Sequence, residues 1–164
     1  MSGASVLVES ATERSKEKFW DILAEVFGEV PRDRLQEGMT RLGVDTKFYA
    51  VEGSEGYLRV LFVTPVTIAD ARFGGIGGVC TRRSVRGNGY GRVVLESAIA
   101  GTASTFGTLL LWTRIPAYFE QFGFVEMSQM FVPEAGASTP MLFFHTDEAR
   151  FAATALRGLP RVYF

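Results

Sequence analysis

Cysteine is almost missing from this chain. Cys80 is the only one, so no disulfide can form within it, and a single His with no C-x-x-C pair supplies no zinc-ligand set. No metal site is expected. An excess of charge of one sign is also lacking: 17 Lys and Arg stand against 18 Asp and Glu, a net charge of −1. That balance argues against a globally electrostatic nucleic-acid or membrane binder. Long apolar runs are absent too. The longest uncharged stretch, Ser97 to Thr113, is broken by Gly101 and Gly107 and interspersed with Ser and Thr, which excludes a spanning helix there. The opening, Met1 to Trp20, is mixed in charge and has no apolar signal region, so neither export nor anchoring is expected. A reduced, cytoplasmic setting follows.

What is present is ample core material: 164 residues, 47% of them apolar, with 14 Phe. These numbers predict one domain spanning 1–164 and exclude a low-complexity chain. A short extended opening, Ser5 to Glu9, precedes a capping-box pattern, Ser10-x-x-Glu13, and Phe19, Ile22, Leu23, Val26 and Phe27 then recur at helical spacing up to Gly28. Pro31 fits the first turn of a second helix faced by Leu35, Met39 and Leu42, with Gly43 as a left-handed stop. Two strands, Phe48–Val51 and Tyr57–Val63, flank a hairpin loop at Glu52 to Gly56, and Pro65 interrupts the next run. Phe73 to Thr81 is extended with four interior Gly. A helix over Val93–Ile99, a buried strand over Thr108–Trp112 and a short helix from Pro116 to Gln121, stopped by Gly123, come next. Strands at Phe124–Val132 and Met141–His145 and a helix capped by Thr146 close the chain. The order predicts a mixed α/β fold with a largely antiparallel central sheet flanked by helices.

One window is strongly biased. Between Asp70 and Glu96 there is no carboxylate, while Arg72, Arg82, Arg83, Arg86 and Arg92 all fall there. At its centre, Arg86-Gly87-Asn88-Gly89-Tyr90-Gly91-Arg92 lies between a predicted strand and a predicted helix. Free backbone N–H groups and the helix dipole favour an anion at such a place, and small residues let it reach the backbone. Glycine permits the positive φ angles of a compact anion nest, and an Arg fork holds phosphate in a bidentate way. The alternative is a solvated basic turn whose glycines serve only the strand-to-helix geometry. The P-loop pattern is absent, and Gly87-Asn88-Gly89-Tyr90-Gly91-Arg92 lacks the third Gly of the dinucleotide fingerprint.

Arg86-x-x-Gly89-x-Gly91 resembles the acyl-CoA signature of the Gcn5-related N-acetyltransferases, the GNAT superfamily. Pro116-Ala117-Tyr118-Phe119-Glu120-Gln121-Phe122-Gly123-Phe124 is similar to the short aromatic helix ending in Gly-Phe that follows in that family. The resemblance implies an acetyl-CoA-dependent acyltransferase moving an acetyl group to a primary amine by direct attack in a ternary complex. The backbone of Val79, Cys80 and Thr81 would pair with the pantetheine arm, and Gly87, Asn88, Gly89, Tyr90, Gly91 and Arg92 would cradle the pyrophosphate, with Arg86 either a further phosphate ligand or a brace of the turn. Gly74, Gly75, Gly77 and Gly78 exceed the family pattern and could instead shape the acceptor side.

Catalysis is less well provided for. The family often places a tyrosine acid four residues before the Gly of Gly-Phe, and here that position is Phe119, with Tyr118 beside it. Successive helix residues point about 100° apart, so Tyr118 does not stand at the family's acid position; it is the candidate acid by adjacency alone, and a packed aromatic is the competing reading. No carboxylate lies between Ala71 and Thr81 to act as base. Glu52, Asp70, His145 and the terminal carboxylate of Phe164 are substitutes, each with a plainer structural reading, as is an ordered water chain. Cys80 reads as a backbone contact, Trp20 as core, and Trp112 as a lining residue of an acceptor pocket. Arg82 and Arg83 read as solvated. The acceptor is a small-molecule or peptide amine, nucleic acid and membrane are not expected as partners, and a homodimer is left open. The alternative function is an acyl-CoA-binding module with weak or no catalysis.

Overall fold

Thr12, not Ser10, starts the first helix. Strand β1 (Leu7–Ser10) leads to α1 (Glu13–Phe27), where the Thr12 side chain accepts from the Ser15 N–H and the Ser15 hydroxyl accepts from the Thr12 N–H. Ser15 therefore fills the capping-box place that a glutamate was expected to occupy. Gly28, with φ of 77°, ends α1 as anticipated. In this computed structural model residues 4–28, 32–133 and 138–161 are described, without the side chains of Arg32, Leu35, Gln36 and Met39. Pro31, the expected face of Leu35 and Met39, and Phe164 lie outside the described residues.

The remaining elements are α2 (Arg32–Arg41), β2 (Lys47–Gly53), β3 (Gly56–Ile68), β4 (Ala71–Thr81), α3 (Tyr90–Thr102), β5 (Thr108–Thr113), α4 (Pro116–Glu120), β6 (Val125–Glu126), β7 (Thr139–Phe144) and α5 (Asp147–Thr154). The strands form a seven-stranded sheet in the order β1-β2-β3-β4-β5-β7-β6. β1 with β2, β2 with β3, β5 with β7 and β6 with β7 are antiparallel, and β4 with β5 is parallel, through Gly74↔Leu109 and Gly75↔Leu110. The mixed, largely antiparallel α/β class is as expected.

Several boundaries differ from expectation for local reasons. Pro65 does not interrupt its strand, because it lies beyond Val63, the last β3 residue paired with β2, and its missing N–H removes no bond from that ladder. The run Phe124–Val132 is not one strand: β6 is short and Ser128–Met130 is a 3₁₀ turn. Gly43 is not left-handed, since it is absent from the positive-φ glycines. Asp70 serves the turn. It and Ala69, with φ of 65° and 48°, form the two-residue link from β3 to β4, the positive-φ pair that suits the twist of a hairpin.

The chain folds as two compact units. The first comprises Met1–Thr64 and Ile76–Ala100. Its core joins Phe19 and Ile22 of α1 to Phe48, Tyr57, Val60, Phe62 and Cys80 of the sheet. Phe19 lies 5.1 Å from Phe48 and 5.7 Å from Phe62 between ring centres. β4 makes room for this aromatic cluster by omission. A Cβ on Gly77 would stand 2.4 Å from the Phe62 ring, and one on Gly78 would stand 2.3 Å from Phe19. These two glycines serve ring packing, which corrects the reading that they shape an acceptor site.

The second unit comprises Pro65–Gly75 and Gly101–Tyr163. Leu109, Leu110 and Leu111 of β5 and Met141 and Leu142 of β7 are buried at its centre. Gly74 belongs to the same logic, since a Cβ there would meet Leu109 at 2.7 Å and Phe106 at 2.8 Å.

Candidate active site

In the first unit the chain runs from Val79, Cys80 and Thr81 at the end of β4, through a 3₁₀ turn at Arg83–Val85, into α3. Gly87 and Gly89 are left-handed, with φ of 85° and 79°. Both are exposed, and nothing lies within 4 Å of a Cβ built on either, so conformation rather than space calls for glycine here. Gly89 stands immediately before α3 and has no side chain to cap it. Among the described residues the N–H groups of Gly89, Tyr90 and Gly91 have no acceptor, while the Gly89 carbonyl already accepts from Arg92 and Val93. Three adjacent donors thus stand at the positive end of a helix of 13 residues, the setting an anion cradle requires.

The arginines divide into engaged and available. Arg92 donates to Glu96 at 3.0 Å, one turn along α3. Arg86, exposed, donates from Nε to the Thr81 carbonyl at 3.4 Å. Arg82 is not solvated. Its Nε donates to the Tyr57 carbonyl at 2.7 Å, its Nη1 donates to Glu25 of α1, and its own N–H reaches the Leu58 carbonyl at 2.9 Å. The other Glu25 oxygen accepts from the Arg83 N–H at 3.2 Å. Loss of hydration alone would raise the Glu25 carboxyl, but the bonds from Arg82 and Arg83 outweigh it and hold the group below its ordinary value.

Cys80 is buried, and that burial pushes its thiol up to about 12, so it is a thiol rather than a thiolate at neutral pH. Glu52 is not a free loop carboxylate. It sits on β2 and pairs with Lys18 at 2.7 Å, and Lys18 also meets Glu9 at 3.2 Å. The hydrogen bond to Glu52 is the main reason that the Lys18 ammonium titrates above its ordinary value. Tyr57 donates to Glu9 from the same cluster, and burial keeps its phenol protonated.

In the second unit, α4 carries the adjacent Tyr118 and Phe119. Phe119 is buried and packs against Phe124, with ring centres 5.9 Å apart, while Tyr118 is half-buried and its hydroxyl has no partner among the described residues. The backbone N–H of His145 donates to the Gly107 carbonyl at 2.9 Å, its ring meets Phe143 at 5.1 Å, and burial lowers its pKa. Trp112 does line a cavity, of about 240 Å³, with Phe131, Pro140 and Arg161. The Arg161 guanidinium stands 4.5 Å from the Trp112 ring centre. Trp20 is half-buried rather than core. Among the described residues no group of three or more His, Cys, Asp or Glu could hold a metal, and no helix is long and apolar enough to cross a membrane.

The Glu25–Arg82 bracket and the Lys18 cluster were not legible in the sequence. Each joins residues on separate elements, and no local pattern signals such a partner.

No family model and no curated protein sequence matches the chain. Solved structures do match in shape. A GNAT family N-acetyltransferase, YhbS from Escherichia coli, solved in complex with CoA, is similar over 99% of this chain and 92% of its own, with TM-score 0.78 and 15% identity. An acyl-CoA N-acyltransferase from Pseudomonas aeruginosa is similar over 84% of this chain and 97% of its own, with TM-score 0.63 and 19% identity. A conserved protein of Enterococcus faecalis V583 matches 74% of this chain with TM-score 0.62 and 20% identity, and there the chain spans only 32% of the longer protein. The fold is therefore that of the GNAT N-acetyltransferases.

Proposed function

We propose that this protein, acting as one domain, is an acetyl-CoA-dependent N-acetyltransferase that acetylates a primary amine in a ternary complex. The observation that carries the reading is the Arg86–Gly91 turn, with two left-handed glycines and three unpaired amides opening α3, in a chain with the GNAT fold. These residues fit a pyrophosphate: the donors are consecutive, exposed or half-exposed, and free of a competing side-chain cap. In this reading Gly87, Asn88, Gly89, Tyr90, Gly91 and Arg92 supply the cradle and Arg86 a guanidinium fork. The backbone of Val79, Cys80 and Thr81 meets the amides of the pantetheine arm.

Acetyl-CoA supplies the activated acetyl thioester when bound. The protein's own contribution at the reacting end is a proton donor, for which the hydroxyl of Tyr118 is the candidate. A buried thiol raised to about 12 makes Cys80 a poor nucleophile, which supports direct transfer without a covalent enzyme intermediate. Asp70, in the hairpin turn, and Glu52, bound to Lys18, are poor candidates for the base, and ordered water is the simplest route for the amine proton.

A second reading, an acyl-CoA-binding module with little or no catalysis, is favoured by one observation: the position where the family often has its acid is a buried Phe119. A panel of small amines and peptides, assayed with acetyl-CoA for thiol release, separates the two. Robust release with any acceptor supports the enzyme, and binding without release on every acceptor supports the module.

A further inference from the structure

We infer that Glu25 of α1 is a positioning residue for the pyrophosphate turn, acting through Arg82 and the Arg83 N–H; the inference rests on the cofactor reading above. The residues from Arg82 to Gly89 include no regular strand or α-helix, so the turn has little backbone ladder of its own. What fixes its entry is a bracket. One Glu25 oxygen accepts from Arg82 Nη1 and the other from the Arg83 N–H, the first residue of the 3₁₀ turn. The same guanidinium donates to the Tyr57 carbonyl at 2.7 Å and to the Glu55 carbonyl at 3.4 Å, so it also grips the β2–β3 hairpin. The Arg82 side chain is 17% exposed and that of Glu25 35%.

Two effects of Glu25 on a bound polyanion have opposite signs. As a bare charge it repels phosphate and offsets Arg82, so its removal would tighten binding. As a brace it holds the turn in the shape that aims the Gly89–Gly91 amides, so its removal would weaken binding. The two hydrogen bonds that one carboxylate accepts, from the Arg82 side chain and the Arg83 N–H, favour the second effect. A misaimed set of donors loses charge-assisted hydrogen bonds that one distant charge cannot replace.

The test is the affinity of full-length wild type, Glu25→Ala and Glu25→Gln for CoA itself by titration calorimetry, with the melting temperature of each ligand-free protein. Glu25→Ala is expected to weaken CoA about tenfold with the ligand-free melting point moved by less than about 2 °C. Glu25→Gln is expected to recover part of the loss, because its amide oxygen still accepts from the Arg83 N–H. Unchanged or tighter binding by Glu25→Ala overturns the inference while leaving the cofactor reading intact. A melting point lowered by about 10 °C or more in both variants assigns Glu25 to general folding and overturns it as well. Absence of CoA binding by the wild type defeats the cofactor reading, and the inference with it.

Discussion

Tyr118 and Phe119 meet edge to face on α4, with ring centres 5.1 Å apart and planes at 88°, and only the second is buried. The two neighbours therefore sit in different environments. Phe119→Tyr places a hydroxyl in a buried site packed against the Phe124 ring, and should destabilise the fold by about 1–3 kcal/mol without raising turnover. Tyr118→Phe keeps the ring contacts with Phe119 and Phe122 and removes only the hydroxyl, so stability should hold while acetyl transfer falls roughly 10²-fold or more. Steady-state rates and melting curves of both variants check this pair of outcomes. A rate gain in Phe119→Tyr would contradict it.

Gly89→Asp should abolish CoA binding in a folded protein. The position is exposed, with nothing within 4 Å of a Cβ, so the substitution meets no clash; its costs are a φ of 79° and a carboxylate set where the phosphate should lie. The strain is of order 1 kcal/mol, small beside the like-charge repulsion. Calorimetric titration with CoA, alongside circular dichroism, reads both halves of the outcome.

Gly78→Ala should act in the opposite manner, on the fold before the site. With φ of 59° and a Cβ position 2.3 Å from the Phe19 ring, even one methyl group displaces the aromatic cluster. A loss of about 2–3 kcal/mol, or roughly 5–10 °C in melting temperature, is expected. Thermal unfolding of the ligand-free variant is the check.

His145 is the only histidine, so its imidazole can be followed alone by NMR. Burial lowers its pKa in the folded protein, meaning that the folded state binds its proton less readily than the unfolded chain does. The contribution is therefore fully present above the unfolded value near 6.5 and is lost as pH falls through the depressed folded value. The titration midpoint should lie below about 6.5, and His145→Gln should flatten the acid side of the stability curve.

The parts of the fold legible in the sequence are those with local causes. Helical spacing placed Phe19 and Ile22 on the buried face of α1, Gly28 ended that helix, Thr146 capped α5, and the hairpin of β2 and β3 was legible, although its turn is only Ser54 and Glu55 because Glu52 and Gly53 belong to β2 and Gly56 to β3. The Gly87–Gly89 turn was legible because left-handed backbone asks for glycine whatever surrounds it. Features set by distant neighbours were not. Gly77 and Gly78 looked like room for a ligand until Phe62 and Phe19 were seen to fill the space. Arg82 looked solvated because nothing local reveals Glu25, and Glu52 looked like a free carboxylate because Lys18 lies on another element.

Whether the Arg86–Gly91 turn holds a pyrophosphate is read by thermal unfolding with and without acetyl-CoA. Ligand at 100 times its dissociation constant adds about 2.7 kcal/mol, so the melting temperature should rise by roughly 5–10 °C. No rise at millimolar acetyl-CoA would contradict the account, leaving a GNAT fold without its cofactor.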